Sequence, residues 1–170
     1  MDPRSIVLGF ARRHDATALS LMARDLIEAG LGWEYRAERI GRFIDDRDTI
    51  ALVARDGADE IGFAVMTLGD DRAHLSLLAV SPTYQRRGIA RRMLAWLLES
   101  ATVAGISSLH VELRAGNTAA RRLYRSVGFV ETLRLPGYYR GRESALRMIR
   151  MLRAPGGATV SWQPPMIDKR

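Results

Sequence analysis

The stretch Gln85-Arg86-Arg87-Gly88-Ile89-Ala90-Arg91-Arg92 combines the features of a phosphate-binding turn. A nearly all-apolar segment, Leu75-Ser76-Leu77-Leu78-Ala79-Val80, runs into it, and an amphipathic helix leaves it. The first turn of a helix has unpaired backbone N–H groups and carries the positive end of the dipole. That end is a ready anion site. Gly88 lets a ligand oxygen approach the backbone with no Cβ in the way, and Ala90 is the next smallest choice. Arg86, Arg87, Arg91 and Arg92 add charge-assisted donors. The same residues also fit a plain loop glycine beside a solvated basic face. The pattern is not a P-loop, because no Gly-Lys-Ser/Thr follows, and it lacks the three spaced glycines of the dinucleotide fingerprint.

A second group lies downstream. In Ser108 to Arg114, Leu109, Val111 and Leu113 alternate with His110, Glu112 and Arg114, so a strand puts Glu112 among apolar neighbours. A carboxylate there is costly unless it is used or paired, the bland partner being Arg114 or another arginine. Asn117 and Tyr124 stand seven positions apart, two helical turns, and so face the same way. Asn117 is also a preferred N-cap residue, and Tyr124 could be a core aromatic. Three scattered histidines without cysteine give no metal site.

These residues need elements to hold them. Ile6 to Arg13 reads as a strand, and Asp15 caps a helix that runs to about Ala29. Ala37 to Asp45 reads as a second helix after the loop Gly32-Trp33-Glu34-Tyr35. Thr49 to Arg55 and Glu60 to Leu68 form a hairpin about Asp56-Gly57-Ala58-Asp59. Ala73 to Val80 is a strand, Gly88 to Ala104 a helix, Ser108 to Arg114 a strand and Asn117 to Val127 a helix. Phe129 to Leu135 and Ser144 to Leu152 close the chain as strands. This succession predicts one α/β domain over residues 1–152, and residues 153–170 read as a Pro/Gly-containing tail.

The chain has 170 residues, 47% hydrophobic and 26% charged, which argues against disorder, collagen and coiled coil. It has no cysteine, which excludes disulfides, thiolate metal sites and cysteine nucleophiles. The apolar run Ile6 to Ala11 is too short for a signal peptide, and nothing approaches a membrane span. A cytoplasmic protein is expected. Of the 26 basic residues 25 are Arg; residues 1–85 carry a net −4 and residues 86–170 a net +11. A basic half calls for an anionic partner.

Gln85-Arg86-Arg87-Gly88-Ile89-Ala90 resembles the Q/R-x-x-G-x-G/A signature of the GNAT superfamily of acetyl-CoA-dependent N-acetyltransferases. Val111-Glu112-Leu113-Arg114-Ala115-Gly116-Asn117, Ala119-Ala120, Leu123-Tyr124 and Val127-Gly128-Phe129 follow in order. They resemble the bacterial ribosomal-protein alanine N-acetyltransferases within that superfamily, and Gly137-Tyr138-Tyr139 and Gly141 to Ala145 echo their C-terminal region. The resemblance spans residues 73–152; residues 1–72 match only in element order and 153–170 not at all.

The resemblance implies a mixed, mostly antiparallel sheet flanked by helices, splayed near Val80 to open a cofactor cleft. Leu78, Ala79 and Val80 match the strand that pairs with the pantetheine arm. Gln85, Arg86, Arg87, Gly88, Ile89, Ala90 and Arg91 match the pyrophosphate loop, and Asn117 a cofactor-contacting asparagine. Tyr124 matches the acid that protonates the leaving thiolate, which a phenol with reference pKa about 10 can do for a thiol of about 8.5. Glu112 matches the base, with burial expected to raise its pKa toward working pH. Many members place a glutamate base at the start of the strand entering the phosphate loop, and here that neighbourhood offers His74, a second candidate.

The implied reaction is direct transfer of acetyl from acetyl-CoA, with no metal, to a primary amine on a protein N-terminus or a small molecule. Trp33, Glu34 and Tyr35 are expected on one acceptor wall, Tyr138 and Tyr139 on the other. The rival reading is a non-catalytic module holding CoA or RNA. RNA would favour aromatics interleaved with the arginines, and only Tyr84 and Trp96 are near. Neither nucleic acid nor membrane is expected as a partner, and a homodimer stays open.

Overall fold

One seven-stranded sheet, in the order β1-β2-β3-β4-β5-β7-β6, organises residues 5–153, the part that the computed structural model describes. In chain order the elements are β1 (Ile6–Phe10), α1 (Ala16–Leu26), α2 (Ala37–Asp45), β2 (Thr49–Asp56), β3 (Asp59–Leu68) and β4 (Arg72–Val80). Then come α3 (Ile89–Val103), β5 (Ser108–Arg114), α4 (Thr118–Ser126), β6 (Val130–Tyr139) and β7 (Glu143–Met151). Every pairing is antiparallel except β4 with β5, which the α3 crossover makes parallel. All but the first residue of the expected 153–170 tail lies outside the described residues. No described helix is long and apolar enough to cross a membrane.

The alternation of β2 sorts the core into two layers. Leu52 and Ala54 join Met93, Leu94 and Leu97 of α3, while Ala51 and Val53 join Leu19 and Ala23 of α1 and Ile40 of α2. Helices therefore cover both faces, and β4 between them is buried on both.

Two details of β4 make the site. First, Val65 pairs with Leu77 and Met66 with Leu75, which leaves Ser76 as an extra residue, a bulge. The extra residue reverses the alternation: Ala73 and Leu75 face the α3 core, whereas Leu77 and Ala79 face the α1–α2 core. Second, β4 and β5 pair from Arg72/Ser108 only as far as Leu75/Val111. Beyond that, β4 stays paired to β3 through Val80 and β5 to β7 through Arg114, so the two strands part. The expected splay is present, and its open edge runs from Ser76 to Val80.

Some boundaries move. The first strand stops at Phe10 because Arg13–Asp15 form a single 3-10 turn, with the buried Asp15 carboxylate accepting from the Arg12 amide at 2.6 Å. Helix α1 ends at Leu26 rather than Ala29 because the Glu28 carboxylate turns the chain, accepting from the Glu34 and Tyr35 amides at 2.7 and 3.1 Å. Strand β6 runs on to Tyr139, through Pro136, which an edge strand tolerates, with an irregularity between Leu135 and Tyr139.

Candidate active site

The parting of β4 and β5 opens a cleft of about 840 Å³. Its floor is His74 to Leu78 of β4 and Val111 to Arg114 of β5, and Asn117 and Tyr124 flank it from α4 and its cap. One wall is the loop after α1, including Glu34 and Tyr35, and the other is the β6–β7 turn with Tyr138, Tyr139 and Arg140.

Glu112 is 9% exposed, and both its oxygens are occupied. Oε1 accepts from Arg147 Nε at 2.8 Å; Arg147 is its cross-strand neighbour on β7. Oε2 contacts His74 Nε2, brought alongside because His74 pairs with His110, one alternation before Glu112. The hydrogen bond from His74 outweighs burial and, with Arg147, lowers the Glu112 pKa to about 2. The expectation that burial would raise it is therefore overturned: desolvation is real, but hydrogen bonds from His74 and Arg147 oppose it. The bland partner Arg114 is engaged elsewhere, donating to the Ile27 and Ala29 carbonyls at 3.1 and 2.7 Å and lying 3.4 Å from Glu143. His74 is half exposed to the cleft, and its Nδ1 lies 3.2 Å from Ser76 Oγ on the bulge.

Tyr124 is buried against Phe129, with ring centroids 5.3 Å apart, and burial pushes its pKa up, so the phenol keeps its proton. Asn117 caps α4, its Oδ1 accepting from the Ala120 amide at 3.0 Å. Asn117 and Tyr124 line the same side of the cleft, as their spacing requires.

The basic turn lies past the open edge, outside the cleft lining. Gly88 is the N-cap of α3 at φ +78, a left-handed conformation that favours glycine, and no side chain caps this end. The amides of Ile89, Ala90 and Arg91 precede the first helical bond, from Arg92 N to Gly88 O, and beyond the chain neighbours and the helix backbone no heavy atom lies within 4 Å of where a Gly88 Cβ would be. Arg86 also sits at positive φ, 62°, holding the turn open. Gln85 turns back to donate to the Val80 carbonyl at 2.9 Å, bracing turn to strand. Arg87 stacks on Tyr84 at 5.1 Å, and Arg91 donates to Ser126 at 2.9 Å. Leu78 borders the cleft, whereas the side chains of Ala79 and Val80 are in the core, which leaves only their backbone for a ligand.

Of the expected acceptor loop, Glu34 and Tyr35 line the cleft and Trp33 does not. The guanidiniums of Arg36 and Arg24 lie over the Trp33 ring, at 4.6 and 5.3 Å. Arg140 donates to Glu34 at 3.2 Å across the mouth, joining the two walls. Ser76, Arg147 and Arg140 were missed by sequence reasoning. A usable signal existed only for Arg147, an opposite charge on a neighbouring strand of the sheet.

The acetyltransferase (GNAT) family model matches residues 18–129. The [ribosomal protein bS18]-alanine N-acetyltransferase of Escherichia coli (strain K12) is 40% identical over 89 residues, 51% of this chain and 60% of its own length. The chain thus spans somewhat over half the length of that curated relative. The N-alpha-acetyltransferase RimI of Mycobacterium tuberculosis is 32% identical over 143 residues, 82% of this chain and 87% of the relative. The crystal structure of the ribosomal-protein-S18-alanine N-acetyltransferase from Escherichia coli superposes with a TM-score of 0.77 at 26% identity, covering 89% of this chain and 96% of that one. A splayed sheet with a bulged fourth strand, a glycine-capped helix beyond it and a family match across both place this chain in the acetyltransferase (GNAT) family.

Proposed function

We propose that the protein transfers acetyl from acetyl-CoA directly to a primary amine, with a protein N-terminal amine as acceptor. One observation carries this: a proton donor, Tyr124, and a proton-accepting pair, His74 with Glu112, line one cleft that opens at the unpaired edge of β4. The β4 edge at Leu78, Ala79 and Val80 lies past the end of the β5 ladder and would pair with the pantetheine amides as an added strand, the Val80 carbonyl being already held by Gln85. The amides of Ile89 to Arg91 and the arginines at 86, 87 and 91 would hold the pyrophosphate, with Gln85 bracing the turn and Asn117 at the cleft margin.

The neutral amine attacks the thioester carbonyl, the carbon–sulfur bond breaks, Tyr124 gives its proton to the departing thiolate, and the proton shed by the new amide nitrogen restores the phenol. With no cysteine and transfer in one complex, no acetyl-enzyme is needed. The N-terminal acceptor is supported by the relatives' names. A cytoplasmic setting fits the cysteine-free composition. The test is thiol release from acetyl-CoA against a panel of N-terminal peptides and small amines. Release with alanine-initiated peptides is expected; faster release with small amines would move the acceptor class. No release with any amine, with acetyl-CoA still raising the melting temperature, would make the protein a binding module.

A further inference from the structure

The proton leaving the acceptor ammonium needs a destination, and the surroundings of β4 name one. We propose that it passes through the Ser76 hydroxyl to His74 Nδ1, and that Glu112 is a positioning residue behind the imidazole rather than the base. This rests on the transfer reading above and assigns its proton path.

Glu112 has no free oxygen: Arg147 holds Oε1 and His74 holds Oε2, at 9% exposure. An ammonium approaching that carboxylate finds a donor already on each oxygen, and His74 is the more exposed of the pair, 47% against 9%. The Glu112 pKa, about 2, also makes it a poor acceptor, because a base works best with a pKa near operating pH. An ionised carboxylate only accepts hydrogen bonds, so the hydrogen between the two lies on His74 Nε2. That fixes the tautomer and leaves Nδ1 with its lone pair outward, where Ser76 Oγ stands at 3.2 Å. Ser76 is the extra residue of the bulge, and both side chains border the cleft. The hydroxyl takes the ammonium proton as it passes its own to Nδ1. The imidazolium so formed keeps Nε2–H on Glu112, and the neutral amine is left to attack.

The groups around His74 are consistent with this. From β5 come Glu112 and His110, from β7 Arg147, and from its own strand Arg72; Glu34, Arg114, Tyr139, Arg140 and Glu143 border the same cleft. His110 is pushed down, first by burial and then by Arg72, which favours its neutral form, and its Nε2 is engaged with Ser108 at 2.9 Å. His74 is the imidazole among these residues that opens to the cleft.

The test is kcat/KM against pH for the wild type, His74→Gln and Glu112→Gln, using the best peptide of the panel. An acetyl-CoA melting shift in each variant shows that the fold and the cofactor site are intact. The wild type is expected to rise with pH along one limb as the base loses its proton. His74→Gln should lose roughly 10²–10⁴-fold at neutral pH, lose the limb, and recover as the amine itself deprotonates. Added imidazole should restore part of the rate to His74→Ala. Glu112→Gln should keep the limb but move it to lower pH, because the imidazolium loses its anionic neighbour. Ser76→Ala should lower kcat with KM unchanged; an unchanged kcat would take the hydroxyl out of the path. A limb retained in His74→Gln, or abolished by Glu112→Gln alone, would return the role to the carboxylate. A wild type that releases no thiol would overturn the transfer reading, and this assignment with it.

Discussion

Tyr124 shows how burial sets a role at a single residue. Its ring packs on Phe129, and burial pushes its pKa up, so it stays a donor throughout the working range. Tyr124→Phe keeps the packing and removes the proton. It is expected to lower kcat by roughly 10²–10⁴-fold in the thiol-release assay and leave acetyl-CoA affinity near wild type. Loss of affinity together with kcat would make Tyr124 a packing residue. Tyr124 and Asn117 were legible because helical spacing is local, and Glu112 because a carboxylate amid alternating apolar residues asks for a reason. The pairing of Glu112 with His74 was not legible. It joins residues 38 apart through a parallel register, and its second partner comes from β7, 35 residues on. Reading burial without those partners gave the wrong direction for the Glu112 pKa.

At the scale of elements, the start of α3 carries the cofactor reading. Gly88 caps the helix at positive φ, and a Cβ there would meet no atom within 4 Å beyond its chain neighbours and the helix backbone, so a longer side chain would extend into the space proposed for the phosphates. Acetyl-CoA at 100 times its dissociation constant should stabilise the wild type by about 2.7 kcal/mol. Gly88→Glu is expected to abolish that shift, because a carboxylate replaces a phosphate-binding gap; a shift of wild-type size would refute the placement. This turn was legible from an apolar run, a glycine and clustered arginines. The bulge was not: Ser76 in Leu75-Ser76-Leu77 reads as ordinary alternation, and only the pairing of β3 with β4 reveals the extra residue. The extension of β6 past Pro136 was equally hidden, since a proline signals a break unless the strand is known to lie at an edge.

Across the whole molecule, element order sufficed for the layered α/β architecture, because alternating strand and helix periodicities leave few ways to cover both faces of a sheet. The reach of the parallel ladder was not contained in that order. Arg72 to Leu75 against Ser108 to Val111 is the shortest ladder of the sheet, and among the described strands it is the one pairing between β1–β4 and β5–β7. A sheet joined so briefly at its middle is expected to exchange amide hydrogens as two cooperative units rather than one. Deuterium uptake followed by mass spectrometry should show the amides of Leu77 to Val80 that point away from β3 exchanging fast in the free protein. Acetyl-CoA should slow those amides and bring the two units toward a common opening rate, because the ligand fills the seam where the chain's own ladder stops. Uniform uptake across both halves, unchanged by acetyl-CoA, would mean that the helices alone tie the halves together.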